Sequence, residues 1–126
     1  MDPLGVMLYG FDRSSGESIV DYLSKTCGRE VLLISGSGRE EDKVMDILSD
    51  EEYREFEEKE DPKVVMFLGF DGPLIHASMD GFPALDGQQR PIFCTPTQEN
   101  VNWKLSELLA DLKGEREYFR RKEQKR

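Results

Sequence analysis

The sequence predicts an α/β domain: a four-stranded, mainly parallel sheet made from a duplicated strand-helix-strand-helix unit, with helices packed on the sheet. Three observations lead to it. Short apolar runs alternate with stretches of helical periodicity along the whole chain. The runs carry few polar residues, as strands covered on both faces must. Finally, Val6-Met7-Leu8-Tyr9-Gly10-Phe11-Asp12 lies over Val65-Met66-Phe67-Leu68-Gly69-Phe70-Asp71 at a shift of 59 positions, with five identities in seven.

In chain order, Leu4 to Tyr9 is the first expected strand, ended by Gly10. Asp12 to Glu17 supplies capping residues, and Ile19, Val20, Tyr22 and Leu23 follow at helical spacing, so a helix is expected from about Ser14 to Thr26, closed by Gly28. Val31 to Ser35 is a second strand, stopped by Gly36-Ser37-Gly38. Arg39 to Leu48 has Val44, Met45, Ile47 and Leu48 on one side and charges elsewhere, the pattern of an amphipathic helix. The acidic stretch 50–62, with Tyr53 and Phe56 as its anchors, is a short helix or an excursion between halves.

Val64 to Leu68 opens the second half as a third strand, again ended by glycine. Pro73 to Leu85 begins as a helix around Leu74 to Met79 and is cut short by Gly81 and Pro83. Asp86 to Arg90 reads as a turn, and Pro91 to Cys94 as a fourth strand whose proline sits where a missing N–H is tolerated. Thr95-Pro96-Thr97-Gln98 has the form of a capping box, and Val101, Leu105, Leu108 and Leu112 recur after it at helical spacing. The chain is therefore read as one domain over 1–126, with halves at about 4–49 and 63–112 and a basic end at 113–126. A doubly wound sheet of order 2-1-3-4 would set the two Gly-Phe-Asp turns side by side at the carboxyl ends of the central strands, where open α/β sheets bind ligands.

Composition narrows the function classes. The net charge of −9 argues against a nucleic-acid partner, which calls for a basic patch. No run of about 18 apolar residues offers a membrane span, and Met1-Asp2-Pro3 does not open like a secretion leader, so the cytoplasm is the expected compartment. Cys27 and Cys94 are isolated and expected to be reduced, with His76 the sole imidazole able to activate either. Charge is also segregated: 39–61 holds twelve acids against four bases, and 113–126 seven bases against three acids. Such poles permit head-to-tail association, or are simply solvated faces.

Candidate chemistry is limited. The glycine-bearing turns at Gly10 to Gly16 and Gly36 to Gly38 precede helices and could cradle phosphate, but neither has the Walker or dinucleotide pattern. Asp12, Asp71 and Thr95 suggest a phosphoacceptor site without the acidic pair, fifth strand and lysine it needs. The acid clusters lack the glycine-assisted loop of a cation site, so no metal and no cofactor are expected. Each Gly-Phe-Asp turn also has a structural reading: glycine for the strand exit, phenylalanine for the core end, aspartate for the helix cap.

From Lys63 to Glu117 the chain resembles a family of short prokaryotic domains of unknown function, in which a strand ending Gly-Phe is followed by a Thr-x-x-Asn-x-x-Trp-x-Leu-x-x-Leu-Leu helix. The matching positions are Gly69, Phe70, Thr97, Asn100, Trp103, Leu105, Leu108 and Leu109. The resemblance implies no activity, cofactor or catalytic residue. Two functions are weighed. One is a non-enzymatic binding or regulatory domain, self-associating or engaging a protein partner through the strand exits or the basic end. The other is a small-molecule or phosphate-ligand domain, an enzyme in one version, with its site at the strand ends. The candidate ligand or partner residues are Gly10, Phe11, Asp12, Gly69, Phe70, Asp71, Thr95, Thr97, Asn100 and Trp103, and no catalytic residue is assigned.

Overall fold

A computed structural model describes residues 3–83 and 90–124. Its strands are β1 (Leu4–Tyr9), β2 (Val31–Ser35), β3 (Val64–Leu68) and β4 (Ile92–Cys94). Its helices are α1 (Arg13–Cys27), α2 (Val44–Leu48), α3 (Gly72–Asp80) and α4 (Leu105–Gln124), with a 3-10 turn at Asn100–Asn102 before the last. Of the turn expected at Asp86 to Arg90, all but Arg90 lies outside the described residues.

The strands form one sheet in the order β2-β1-β3-β4. Each βαβ pair is parallel, β1 with β2 and β3 with β4, as a helical crossover requires. The central pair is not: β1 and β3 run antiparallel, so the sheet is of mixed orientation and the expectation of a mainly parallel sheet is corrected there. A helix does not join β1 to β3 directly. The chain between α2 and β3 is long enough to bring β3 back in either direction, and only the packing of the two halves decides which.

The register of that central pair is centred on Met7 opposite Met66, with Val6 opposite Phe67 and Leu8 opposite Val65. Met66 is the residue 59 positions beyond Met7, so a residue and its counterpart face one another across an approximate two-fold axis. The outer pairs agree, since Gly5 opposes Leu32 as Val64 opposes Ile92. A second antiparallel bridge joins Lys43 to Lys104, flanked by reciprocal bonds from the Val44 N–H to the Trp103 carbonyl and from the Leu105 N–H to the Asp42 carbonyl, each 2.9 Å.

Apolar side chains alternate between two layers because successive strand residues point to opposite faces. Met7, Tyr9, Ile34, Val64 and Met66 pack under α2 and α4, whereas Leu4, Val6, Leu8, Val65 and Phe67 pack under α1 and α3. Both faces being covered is why the strands read as unbroken apolar runs. Lys63 departs from that pattern at the foot of β3. It is 3% exposed, its ammonium donating to the carbonyls of Gly10 and Lys59 beside the Phe11 ring.

Two helix starts differ from expectation. The amphipathic pattern at Arg39 to Leu48 yields a helix only from Val44, because Glu40 and Asp42 give their carbonyls to the amides of Ser106 and Leu105 and Lys43 is extended. Similarly, Thr95-Pro96-Thr97-Gln98 does not open a helix. The reciprocal cap forms two residues later, with the Thr97 N–H on Asn100 Oδ1 (2.8 Å) and the Asn100 N–H on Thr97 Oγ1 (3.0 Å). Trp103 is extended where it meets Val44, and α4 begins only at Leu105, with Glu107 Oε1 accepting from the Lys104 N–H at 3.0 Å. From there α4 runs unbroken through Gly114 into the basic end.

Candidate functional site

The two Gly-Phe-Asp turns do what strand exits require. Gly10 and Gly69 have φ of +88° and +79°, conformations that side chains resist. A β-carbon on Gly10 would lie 2.6 Å from the Pro62 carbonyl oxygen, and one on Gly69 3.1 Å from that of Pro3. Phe11 is buried in the α1–α3 layer and Phe70 half-buried beside Phe67. Asp12 caps α1 by accepting the Ser15 N–H at 2.8 Å, and Asp71 caps α3 by accepting the Leu74 N–H at 2.9 Å. That bond from Ser15 holds the Asp12 carboxyl below the usual carboxylate range.

Antiparallel pairing of β1 and β3 places the turns at opposite ends of the sheet, about 20 Å apart by strand rise. No crevice is shared between them, and the ligand site expected there is not assembled. Asp12 is likewise separated from Asp71 and Thr95, so the phosphoacceptor arrangement does not form. Parallel pairing of β3 and β4 does bring Thr95 and Thr97 to the end that holds Gly69, Phe70 and Asp71. Asn100 is buried there, its side-chain amide donating to the Thr95 carbonyl at 3.2 Å. Trp103 closes the 3-10 turn that follows, its N–H donating to the Asn100 carbonyl at 3.2 Å, while its side chain is half-buried against the α2–α4 layer.

The thiols are poor nucleophiles. Both are free, and burial pushes each up, Cys94 to about 12. Cys94 packs on the α2–α4 layer, whereas His76 is exposed on α3 across the sheet. Among the described residues no group of three or more His, Cys, Asp or Glu could hold a metal ion. No described helix is long and apolar enough to cross a membrane.

The informative difference lies at the sheet edges. Residues 53–57 form a strap along the outer edge and carboxyl end of β2, held through the backbone of Glu55 and Glu57 and through the side chains of Tyr53 and Arg54. Arg54 donates to the Leu33 carbonyl (3.1 Å), the Ser35 hydroxyl to the Glu55 carbonyl, and the Glu57 N–H to Ser37 Oγ (3.1 Å). Tyr53 donates to the Ser37 carbonyl at 2.6 Å and lies beneath Arg39, while Phe56 lies beneath Arg13. The acidic excursion is thus anchored by the two aromatics the sequence singled out. Small hydroxyl residues at the end of β2 were the signal for it, and no motif marks them.

At the other edge, the Ile92 N–H points to the Lys63 carbonyl (2.8 Å), so the backbone of Phe93 faces outward. No hydrogen bond from outside the sheet reaches it among the described residues. Beside this edge the α4 extension leaves Tyr118 and Phe119 62% and 59% exposed, their rings 5.6 Å apart. A groove of about 350 Å³ runs between Arg90, Ile92, Leu112, Arg116, Phe119 and Arg120. Arg116 is held by Asp61 at 2.8 Å, which ties the basic helix to the segment preceding β3.

Neither a curated protein nor a solved structure matches the chain. Residues 63–119, which span β3 through the exposed aromatic pair of α4, match a family described as a domain of unknown function (DUF3783).

Proposed function

We propose that this domain is a non-enzymatic protein-binding module that meets its partner through the outer edge of β4 and the adjoining C-terminal half of α4. One observation carries the reading: β2's edge is strapped by residues 53–57, while β4's edge lies open among the described residues beside two exposed aromatics and a groove. An open strand edge with apolar surface beside it is the kind of feature that partner strands and helices cover. Thr95, Thr97, Asn100 and the Gly69-Phe70-Asp71 turn form the loops at the end of that edge, so the contact region includes the second-half candidates. Gly10, Phe11 and Asp12 serve the fold, and Trp103 braces the halves.

The reading also takes the halves to derive from one duplicated unit. Support comes from the register, in which Met7 opposes Met66 and Lys43 opposes Lys104. The two free thiols suit a cytoplasmic setting.

Site-specific photocrosslinking in the expressing cell tests the contact face. A photoreactive residue at Phe119 should yield a discrete protein adduct, and one at exposed Ser18 on α1 none. Equal adducts from both positions would refute the proposed face. Absence of adducts at Phe119, together with stabilisation by a millimolar metabolite, would favour the small-molecule reading.

A further inference from the structure

We infer that the open edge of β4 is a docking site for an extended, acidic, aromatic-bearing peptide segment of a partner protein. The inference rests on the protein-binding reading and specifies the partner's chemistry. Its template lies within the chain, because the approximate two-fold that relates β1 to β3 also relates β2 to β4. At the β2 edge the occupant is Tyr53-Arg54-Glu55-Phe56-Glu57, held through its backbone by the hydroxyls of Ser35 and Ser37 and through its rings by arginines. Sixty positions on, the counterparts of Ser35 and Ser37 are Thr95 and Thr97.

Both threonines are exposed, and the Thr95 hydroxyl has no partner among the described residues. The positions that would repeat the strap, 113–117, lie instead within the helix that continues from Leu105 to Gln124. A strand added along β4 would bond to the outward-facing backbone of Phe93 and pass from the threonine end to the groove. Arg90, Arg116 and Arg120 line that groove against Glu115, each arginine already engaged, Arg116 by Asp61, Arg120 by Glu117 at 3.4 Å and Arg90 by the Met79 carbonyl at 3.2 Å. The groove's attraction for carboxylates therefore comes from the surplus of seven bases over three acids along 113–126. Its apolar floor of Ile92, Leu112 and Phe119 suits an aromatic side chain. The chain as a whole carries −9, so bulk charge opposes an acidic ligand and attraction must be local to this groove.

The probe is a labelled synthetic peptide with the sequence of residues 51–60, titrated into the full-length protein by fluorescence anisotropy. Saturable binding is expected, weakened at least about tenfold by Arg90→Glu with Arg120→Glu, and by a peptide whose Tyr and Phe are replaced by serine. Hydrogen exchange should show protection at Phe93 on peptide addition. Failure of the wild-type protein to bind would overturn the inference, as would binding indifferent to both changes. Loss of protection at Glu57 would mean that the peptide displaces the resident strap instead. Protection of Phe93 without peptide, with a doubled mass in solution, would make the occupant a second copy. A retained Phe119 crosslink with no peptide binding would leave the protein-binding reading standing and the partner's chemistry wrong, whereas loss of both would remove the two together.

Discussion

Alanine at Gly10 is a direct measure of how tightly the first strand exit is packed. The residue has φ of +88°, and its added β-carbon would lie 2.6 Å from the Pro62 carbonyl oxygen and 3.2 Å from the Lys63 Cα. Both are backbone atoms leading into β3, so neither can swing aside as a side chain could. The left-handed conformation costs an L-residue roughly 1–2 kcal/mol, and forcing atoms into filled space adds roughly 1–3 kcal/mol. Reduced freedom of the unfolded chain returns about 0.4–1 kcal/mol. The net expectation for Gly10→Ala is about 3 kcal/mol, a large share of the ~5–15 kcal/mol typical of a domain.

Gly28 supplies the control, because its φ is +68° and nothing lies within 4 Å of its β-carbon position. Gly28→Ala should therefore show the conformational cost alone, about 1 kcal/mol. Gly69→Ala, with its nearest contact at 3.1 Å, falls between the two. Urea unfolding followed through the fluorescence of Trp103 reads the series, provided the slope against denaturant is unchanged. Equal losses for Gly10→Ala and Gly28→Ala would refute the claim that the Pro62 carbonyl bars a side chain there.

Asp12→Ala and Asp71→Ala should each cost about 1 kcal/mol as lost helix caps. The two losses should add, because the turns lie at opposite ends of the sheet. The Asp12 cap's contribution is fully present above the ordinary carboxylate pKa of 3.8 and is lost as pH falls from there through the lowered folded value, the window in which the folded state binds fewer protons than the unfolded. In Cys94 the sign reverses. Its unfolded thiol ionises near 9.0 while the folded one keeps its proton to about 12, so stability should fall as pH rises through that window. Cys94→Ala should flatten this slope in urea titrations between those pH values, and an unchanged slope would show that Cys94 is not its source.

Much of the local structure was legible in the residues themselves. The α1 boundaries follow from Asp12 and Gly28, which act as the cap residues their chemistry suggests. The four strands were visible as apolar runs because helices cover both sheet faces. Local reading failed where a long-range partner outbid a short-range pattern. Glu40 and Asp42 carried a helical pattern but give their carbonyls to α4, and Trp103 sits within a helical stripe but pairs with Val44. The groove went unseen for a related reason, since Arg90, Ile92 and Phe119 meet only when α4 lies across the sheet.

The sequence by itself determined the order of the elements, the two unlike charge poles and the correspondence of Val6–Asp12 with Val65–Asp71. Each depends on spacing and residue type along the chain. Tertiary structure alone decided the direction of β3 against β1, because a strand buried on both faces has the same apolar pattern whichever way it runs. That one choice sends the Gly-Phe-Asp turns to opposite ends of the sheet. It also leaves β2 and β4 as the two edges, the first strapped by the acidic segment and the second, among the described residues, open beside the basic helix.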